Sequence, residues 1–355
     1  MTLLDRYVVR SILGSVLLVM SVVLILGALF VFIDQQDDIG VGHYTAVDAL
    51  WYTLLNLPQQ AFELLPITVL IGSLLGLGSL ARGSELTVIR ATGVSILRLA
   101  WMALVAGVIL IGIEVLLGEF LAPPLQVAAR EQKAFAKYTN VSFGGGGGAW
   151  VRDGNLILNV ARQSGQRQFG SMLIFELSPD HRLLALGHAV HATAGADKKW
   201  QLGEYSESRF DGDTVQAKPD GQRVLQSNVT AGFLGLAAQD PNQLTNRALW
   251  QLIQYSRANT LDAKQYLFAF WSRIARTVAI AFSVLLAIPF VLGSLRSAGA
   301  GTRTMMGLLL GIVFFLLQRL IESGTIVFNL DPVVLAWIPT ASLGLVTLLL
   351  LARAR

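Results

Sequence analysis

Three long apolar stretches, a polar insert of about 140 residues and three more apolar stretches make up this chain, and that 3 + 3 layout leaves few folds open. A helix needs about 20 apolar residues to cross the hydrocarbon core of a bilayer. The runs Ile12–Ile33, Leu64–Leu80, Ile96–Leu121, Phe268–Leu295, Met305–Ile326 and Val333–Leu351 read as six such spans. The predicted class is an α-helical membrane protein with six transmembrane helices and one extramembrane module. Composition agrees, since only 14% of residues are charged, against about 25% in soluble domains. Arg6 and Arg10 before the first run resemble the start of a signal peptide. The run is too long for one and no A-x-A pattern follows, so a retained helix is expected.

The net charge of +4 matters less than where the basic residues fall. Arg6, Arg10, Arg82, Arg90, Arg98, Arg296, Arg303, Arg353 and Arg355 all lie in one alternate set of short loops and termini. The other set, Asp34 to Asp48 and Gly324 to Asp331, has no Lys or Arg. By the positive-inside rule both termini are cytoplasmic and the insert lies on the far side of the membrane. Basicity is then topology, and nucleic acid is not an implied partner. The chain has no cysteine, which excludes disulfides, thiolate metal sites and cysteine nucleophiles.

From Pro123 to about Asp262 the pattern changes to short segments separated by turns. Leu156, Leu158 and Val160 alternate on one face, as do Leu173, Phe175 and Leu177, which is the period of half-buried strands. Asp153-Gly154, Asp211-Gly212 and Pro219-Asp220-Gly221 read as turns. Short strands of this kind suggest an all-β sandwich or jelly roll. Gly144 to Gly148 lacks the strand, helix and Gly-Lys-Ser/Thr ending of a phosphate loop, so it reads as a flexible connector. Of the histidines in the insert, His181, His188 and His191, the last two should point to opposite faces of a strand and make poor joint metal ligands. The boundaries that follow are 1–122 for spans one to three, 123–265 for the β domain and 266–355 for spans four to six.

Charge placed within a span is costly, so such residues are functional candidates. They are Glu114 and Glu119 in span three, Arg273 and Arg276 in span four, and Arg319 and Glu322 in span five. Arg273 and Arg276, three apart, share a helix face and form a fork that suits phosphate, with snorkelling to headgroups as the bland alternative. Arg319 and Glu322 have the spacing of an ion pair. Glu114 and Glu119 are five apart, about 140° around an α-helix, and do not form a joint acid and base.

Between spans two and three, Ser84 reads as an N-cap, Glu85 sits at the positive end of a short helix and Gly93 ends it. Leu86 and Ile89 fall on one side, as in a helix that docks on another protein. The segment Leu75-Gly-Leu-Gly-Ser-Leu-Ala-Arg82-Gly-Ser-Glu85-Leu-Thr-Val-Ile-Arg90-Ala-Thr-Gly93 resembles the cytoplasmic loop of the permease subunits of the lipopolysaccharide exporter. Leu4-Asp-Arg-Tyr7, Gly118-Glu-Phe-Leu-Ala-Pro123, Trp271-Ser-Arg273 and Gly293-Ser-Leu-Arg-Ser297 also match that family. The opening and the last of these look more like the G-type subunit than its F-type partner.

The resemblance implies a permease half with no catalytic residue, no metal and no cofactor of its own. ATP and Mg would be bound by two copies of a cytoplasmic ATPase. The other implied partners are an F-type subunit, a periplasmic bridge protein with a membrane anchor, and lipopolysaccharide, extracted from a bacterial inner membrane. Glu85 matches the family's coupling glutamate, with Arg82, Leu86, Ile89 and Arg90 beside it near 84–93. Arg273 matches a basic cavity position, and Arg276, Arg319, Phe314 and Phe315 complete the candidate substrate contacts. Relatives often carry lysines after span one, where this chain has Asp34, Asp37 and Asp38, an acidic rim that would repel phosphate unless cations or the F-type partner offset it. The competing readings are a glycolipid-modifying membrane enzyme and a passive envelope scaffold.

Overall fold

A computed structural model describes residues 3–137, 149–160, 168–180, 182–194, 199–211, 214–226, 241–259, 261–292, 300–324 and 330–353. It divides into two compact units, one of Met1–Asp37, Ala49–Ala129 and Lys264–Arg355, the other of Asp38–Asp48 and Arg130–Ala263. The glycine run, His181 and the Gly293-to-Ser297 motif lie outside the described residues.

The first unit is helical: α1 (Leu3–Asp34), α2 (Ala46–Arg82), α3 (Glu85–Ala91) and α4 (Ile96–Leu116) lead into a π turn (Leu117–Leu121) and α5 (Ala122–Lys137). After the second unit and its helix α6 (Asn246–Ala258) come α7 (Lys264–Leu292), α8 (Ala300–Gly324) and α9 (Pro332–Arg353). Five segments among the described residues are long and apolar enough to span a bilayer, where six were expected. The difference is α8, whose apolar stretch Leu309–Ile321 is shorter. Two boundaries also move. Helix α2 begins well before Leu64, because Thr45 and Asp48 cap it reciprocally: Thr45 N donates to Asp48 Oδ2 at 2.9 Å and Asp48 N to Thr45 Oγ1 at 3.4 Å. Helical structure continues past Pro123 to Lys137, since a proline in the first turn of α5 leaves the later bonds of α5 itself intact.

Packing between α1 and α2 rests on two glycines one turn apart. A Cβ on Gly72 would stand 2.5 Å from Val16 Cα, and one on Gly76 would stand 2.9 Å from the Ser11 carbonyl oxygen. Small residues at this spacing let backbones approach closely in a membrane, where dispersion replaces the hydrophobic effect between helices. Ile12, Val16, Leu70, Leu74 and Leu77 fill the resulting seam. Between α7 and α9 hydroxyls add to packing, with Thr340 Oγ1 donating to the Ala275 carbonyl at 2.9 Å and Thr347 Oγ1 to that of Phe282 at 3.4 Å.

The second unit carries one antiparallel sheet in the order β1-β2-β4-β5-β6-β7, with β3 on β5. Its strands are β1 (Ala149–Asp153), β2 (Leu156–Val160), β3 (Gln168–Phe169), β4 (Met172–Leu177), β5 (Leu183–Ala194), β6 (Lys199–Asp211) and β7 (Thr214–Gln226). The described strands form a single sheet, without the second sheet of a sandwich. Its inner face is built from Leu158, Val160, Met172, Ile174, Ala189 and Leu202. The face expected of β4 is reversed: Met172 and Ile174 are buried, and Leu173, Phe175 and Leu177 lie opposite. Both faces of this strand are apolar, so alternation cannot choose between them, and register with Leu158 and Val160 does. Gly154, at φ 59, makes the tight β1–β2 turn as predicted. Pro219-Asp220-Gly221 is no turn but part of β7, an edge strand that tolerates a missing N–H.

His188 and His191 also depart from expectation. Ala189 pairs with Tyr205 and Ala192 with Leu202, all four buried, so both histidines fall on the outer face. Three residues preserve the face because β6 is irregular opposite them, with Glu204 at φ 49. Beyond Tyr205 the inner face turns ionic. Arg223 bonds Glu207 and, at 2.7 Å, the Tyr205 hydroxyl, while Arg209 reaches Glu176 at 3.6 Å across the small Ala185. Burial, then the bond to Glu207, raises the pKa of the Tyr205 hydroxyl. Helix α6, capped by Thr245, sets Tyr255 against the same core, where its hydroxyl donates to the Arg152 carbonyl. Burial pushes that hydroxyl's pKa up to about 12, so it remains a donor at every physiological pH.

Replacing Gly72 with leucine should force α1 off α2. The expected outcome is loss of a monodisperse species in mild detergent, read by size-exclusion chromatography, whereas Gly14→Leu, at an open position, should behave as wild type.

Candidate functional site

The two arginines of span four meet over one ring, that of Phe62 on α2. The Arg273 and Arg276 guanidinium carbons stand 5.0 and 5.4 Å from its centroid. The predicted shared face of the two arginines is therefore present, and the aromatic face lowers the cost of holding two cations together.

Arg273 is only 6% exposed, and its role follows from the chain near it. In the π turn the N–H of Ala122 is given to the Leu117 carbonyl. The next residue, Pro123, has no N–H, so the Gly118 carbonyl loses its donors four and five residues on. Arg273 supplies one instead, Nη1 donating at 3.3 Å. A backbone carbonyl inside a bilayer has no water to turn to, so this contact satisfies a strict requirement. Gly118 has no side chain because the Phe62 ring occupies the space a Cβ would take.

Three carboxylates offset the cations. Glu119, Glu114 and Glu63 all act electrostatically on Arg273, and Glu114, 1% exposed, also faces Arg276 and Thr277. An unbroken α-helix would separate Glu114 from Glu119; the π turn winds the chain more widely, and both act on the same cation. Gln318 on α8, with its amide oxygen turned inward, accepts from Arg276 Nε at 3.0 Å and Nη2 at 2.8 Å. Phe314, one turn earlier, is buried. Arg319 is exposed, and the side chains of Phe315 and Glu322 lie outside those described, so the expected Arg319–Glu322 pair does too.

The loop helix α3 splits its candidates between two faces. Leu86 and Ile89 are buried, Leu86 in the same core as Val8, Ile12 and Leu99, so the apolar side anchors the helix on its own bundle. Arg82, Glu85, Val88 and Arg90 remain outward. Ser84 stands at the N-cap position but does not cap: at φ 61 its side chain accepts no bond from the helix. Gly93, at φ 88, ends the helix as predicted, its N–H donating to the Arg90 carbonyl at 3.1 Å.

The acidic stretch after α1 is partly neutralised from within the chain. Lys133 Nζ stands 2.6 Å from Asp38 Oδ2, a partner that reading the first span alone could not supply.

The family model for the lipopolysaccharide export system permease LptF/LptG matches residues 6–353. The chain belongs to the LptF/LptG permease family. It is 31% identical over 355 residues to the lipopolysaccharide export system permease protein LptG of Escherichia coli K12, covering 99% of this chain and 98% of that one. It is 27% identical over 353 residues to LptG of Haemophilus influenzae, covering 99% of both. Membership fits a multi-pass membrane protein. Phe62 and Gln318 escaped the sequence reading, because an aromatic or an amide in an apolar run carries no mark of its partner. Gly118, five residues before Pro123, did carry a signal.

Gly118→Ala should push the Phe62 ring off both guanidinia and destabilise the chain by about 1–3 kcal/mol, the usual range for overpacking. Thermal unfolding in detergent reads the loss, and Gly118→Ala with Phe62→Leu should recover most of it.

Proposed function

We infer that this chain is a G-type permease subunit that moves lipopolysaccharide out of a bacterial inner membrane, driven by ATP hydrolysed on partner chains. The observation that carries this reading is the end-to-end match to LptG relatives. The competing enzyme reading loses ground because Glu114, the buried carboxylate of the cluster, lies within the electrostatic reach of Arg273 and Arg276, and the scaffold reading leaves α3 without a task.

In the finer reading α8 is the sixth span and the sheet is a jelly-roll-like periplasmic domain. Both termini and α3 face the cytoplasm, as the arginine distribution supports. An F-type subunit completes the pair, two copies of an ATPase that bind ATP and Mg sit below, and a membrane-anchored bridge protein receives the lipid. Glu85, with Arg82 and Arg90 on the outward face of α3, meets the ATPase. Leu86 and Ile89 make the helix rigid with the bundle, so a push on Glu85 reaches the spans. Arg276 and Arg319 are the phosphate contacts of this reading, Phe314 and Phe315 the acyl-chain contacts, and Arg273 supports Arg276 from the buried side.

The test is lipopolysaccharide release from vesicles holding this chain, its F-type partner and the ATPase. Glu85→Ala should cut ATP-driven release about tenfold, the effect of one lost bond to a charged group, while leaving the thermal unfolding midpoint in place. Unchanged release would contradict the coupling role, and lipid modification by the chain alone would favour the enzyme reading.

A further inference from the structure

The opening motif Leu4-Asp-Arg-Tyr7 has no task in the account above. In the structure the Tyr7 hydroxyl donates to Glu85 Oε2 at 2.6 Å, joining the start of α1 to the start of α3. Successive turns of α1 are held on either side of it. Asp5 pairs with Arg98 at the start of α4 at 3.9 Å, and Ser11 Oγ donates to the Gly76 carbonyl at 3.2 Å. Val8, Val9 and Ile12, on the adjoining face, share a core with Leu86 and Leu99. The backbones that carry Tyr7 and Glu85 are thereby fixed, and the bond between the two side chains sets how the carboxylate points.

We propose that Tyr7 is a positioning residue for Glu85: its hydroxyl holds Oε2, turns Oε1 toward a cationic or N–H donor of the ATPase, and passes movement of the glutamate straight into the first span. This rests on the reading of Glu85 as the coupling glutamate. A carboxylate has two oxygens and can serve an internal donor and a partner's donor together, which one shared oxygen would do poorly. Tyr7 is 49% exposed, and a bond so open to water adds little to folding. Its worth is in orientation, because an exposed glutamate otherwise samples several rotamers and meets a partner at an entropic cost. Since α1 begins at Leu3 and runs to Asp34, a force applied at Tyr7 acts at one end of a continuous span.

The experiment uses the full complex in lipopolysaccharide-bearing vesicles and compares wild type, Tyr7→Phe, Glu85→Ala and the double variant. ATP hydrolysed and lipid released are measured on the same sample, with the unfolding midpoint of each chain as control. Tyr7→Phe should co-purify with the ATPase and hydrolyse ATP at a near-normal rate, yet release about tenfold less lipid per ATP, the entropic cost of ordering a glutamate side chain that is no longer held. The double variant should be no worse than Glu85→Ala, because Tyr7 acts through that residue. If Glu85→Ala lowers release and Tyr7→Phe does not, the role of Tyr7 is overturned and the coupling reading stands. Additive losses, or a lowered unfolding midpoint for Tyr7→Phe, would equally overturn it. If neither single variant changes release, both readings fall.

Discussion

A carbonyl inside a bilayer that has lost its helical donor must find another, and at Gly118 that donor is Arg273. The need comes from Pro123, and the answer shapes the surroundings. A guanidinium at that depth must be compensated, which places Glu114 and Glu119 near it, and it must be packed, which places Phe62 against it. Phe62 then leaves no room for a side chain at Gly118, so the cluster draws on α2, the π turn and α7 together. The π turn also widens the third span where the chain passes into α5, and the surroundings of the proline link five residue choices, Arg273, Glu114, Glu119, Phe62 and Gly118.

At the other end of the helical unit a different economy holds. Helix α3 is only seven residues long, too short to be stable alone, and owes its place to Leu86 in the bundle's core, with Ile89 buried beside it. Burying the apolar face turns the charged face, with Arg82, Glu85 and Arg90, outward. The β unit follows ordinary sheet rules, with irregularities in β6 and at the end of β4 and an inner face that changes from apolar to ionic beyond Tyr205.

Much of this was legible in the residues. Spans of leucine, isoleucine and valine announce themselves, the Asp153-Gly154 turn specified its hairpin, and Gly93 its helix end. Legibility failed where a choice depended on a neighbour distant in sequence. The doubly apolar β4 could face either way until β2 fixed it, and Asp38 looked uncompensated until Lys133 came beside it. The apolar side of α3 looked like a docking face until Leu86 was found among Val8 and Ile12. Arg273 was singled out for its charge, yet its hydrogen bond is explained by a missing N–H that no periodicity records.

The measurement that tests this account most directly is a thermal-unfolding cycle in detergent on wild type, Arg273→Ala, Pro123→Ala and the double variant. Alanine at 123 restores an N–H for the Gly118 carbonyl, so the loss caused by Arg273→Ala should shrink by about 1 kcal/mol or more in that background, the net worth of the bond. Equal losses in both backgrounds would show that Arg273 does not answer the proline, and the buried cluster would need another explanation.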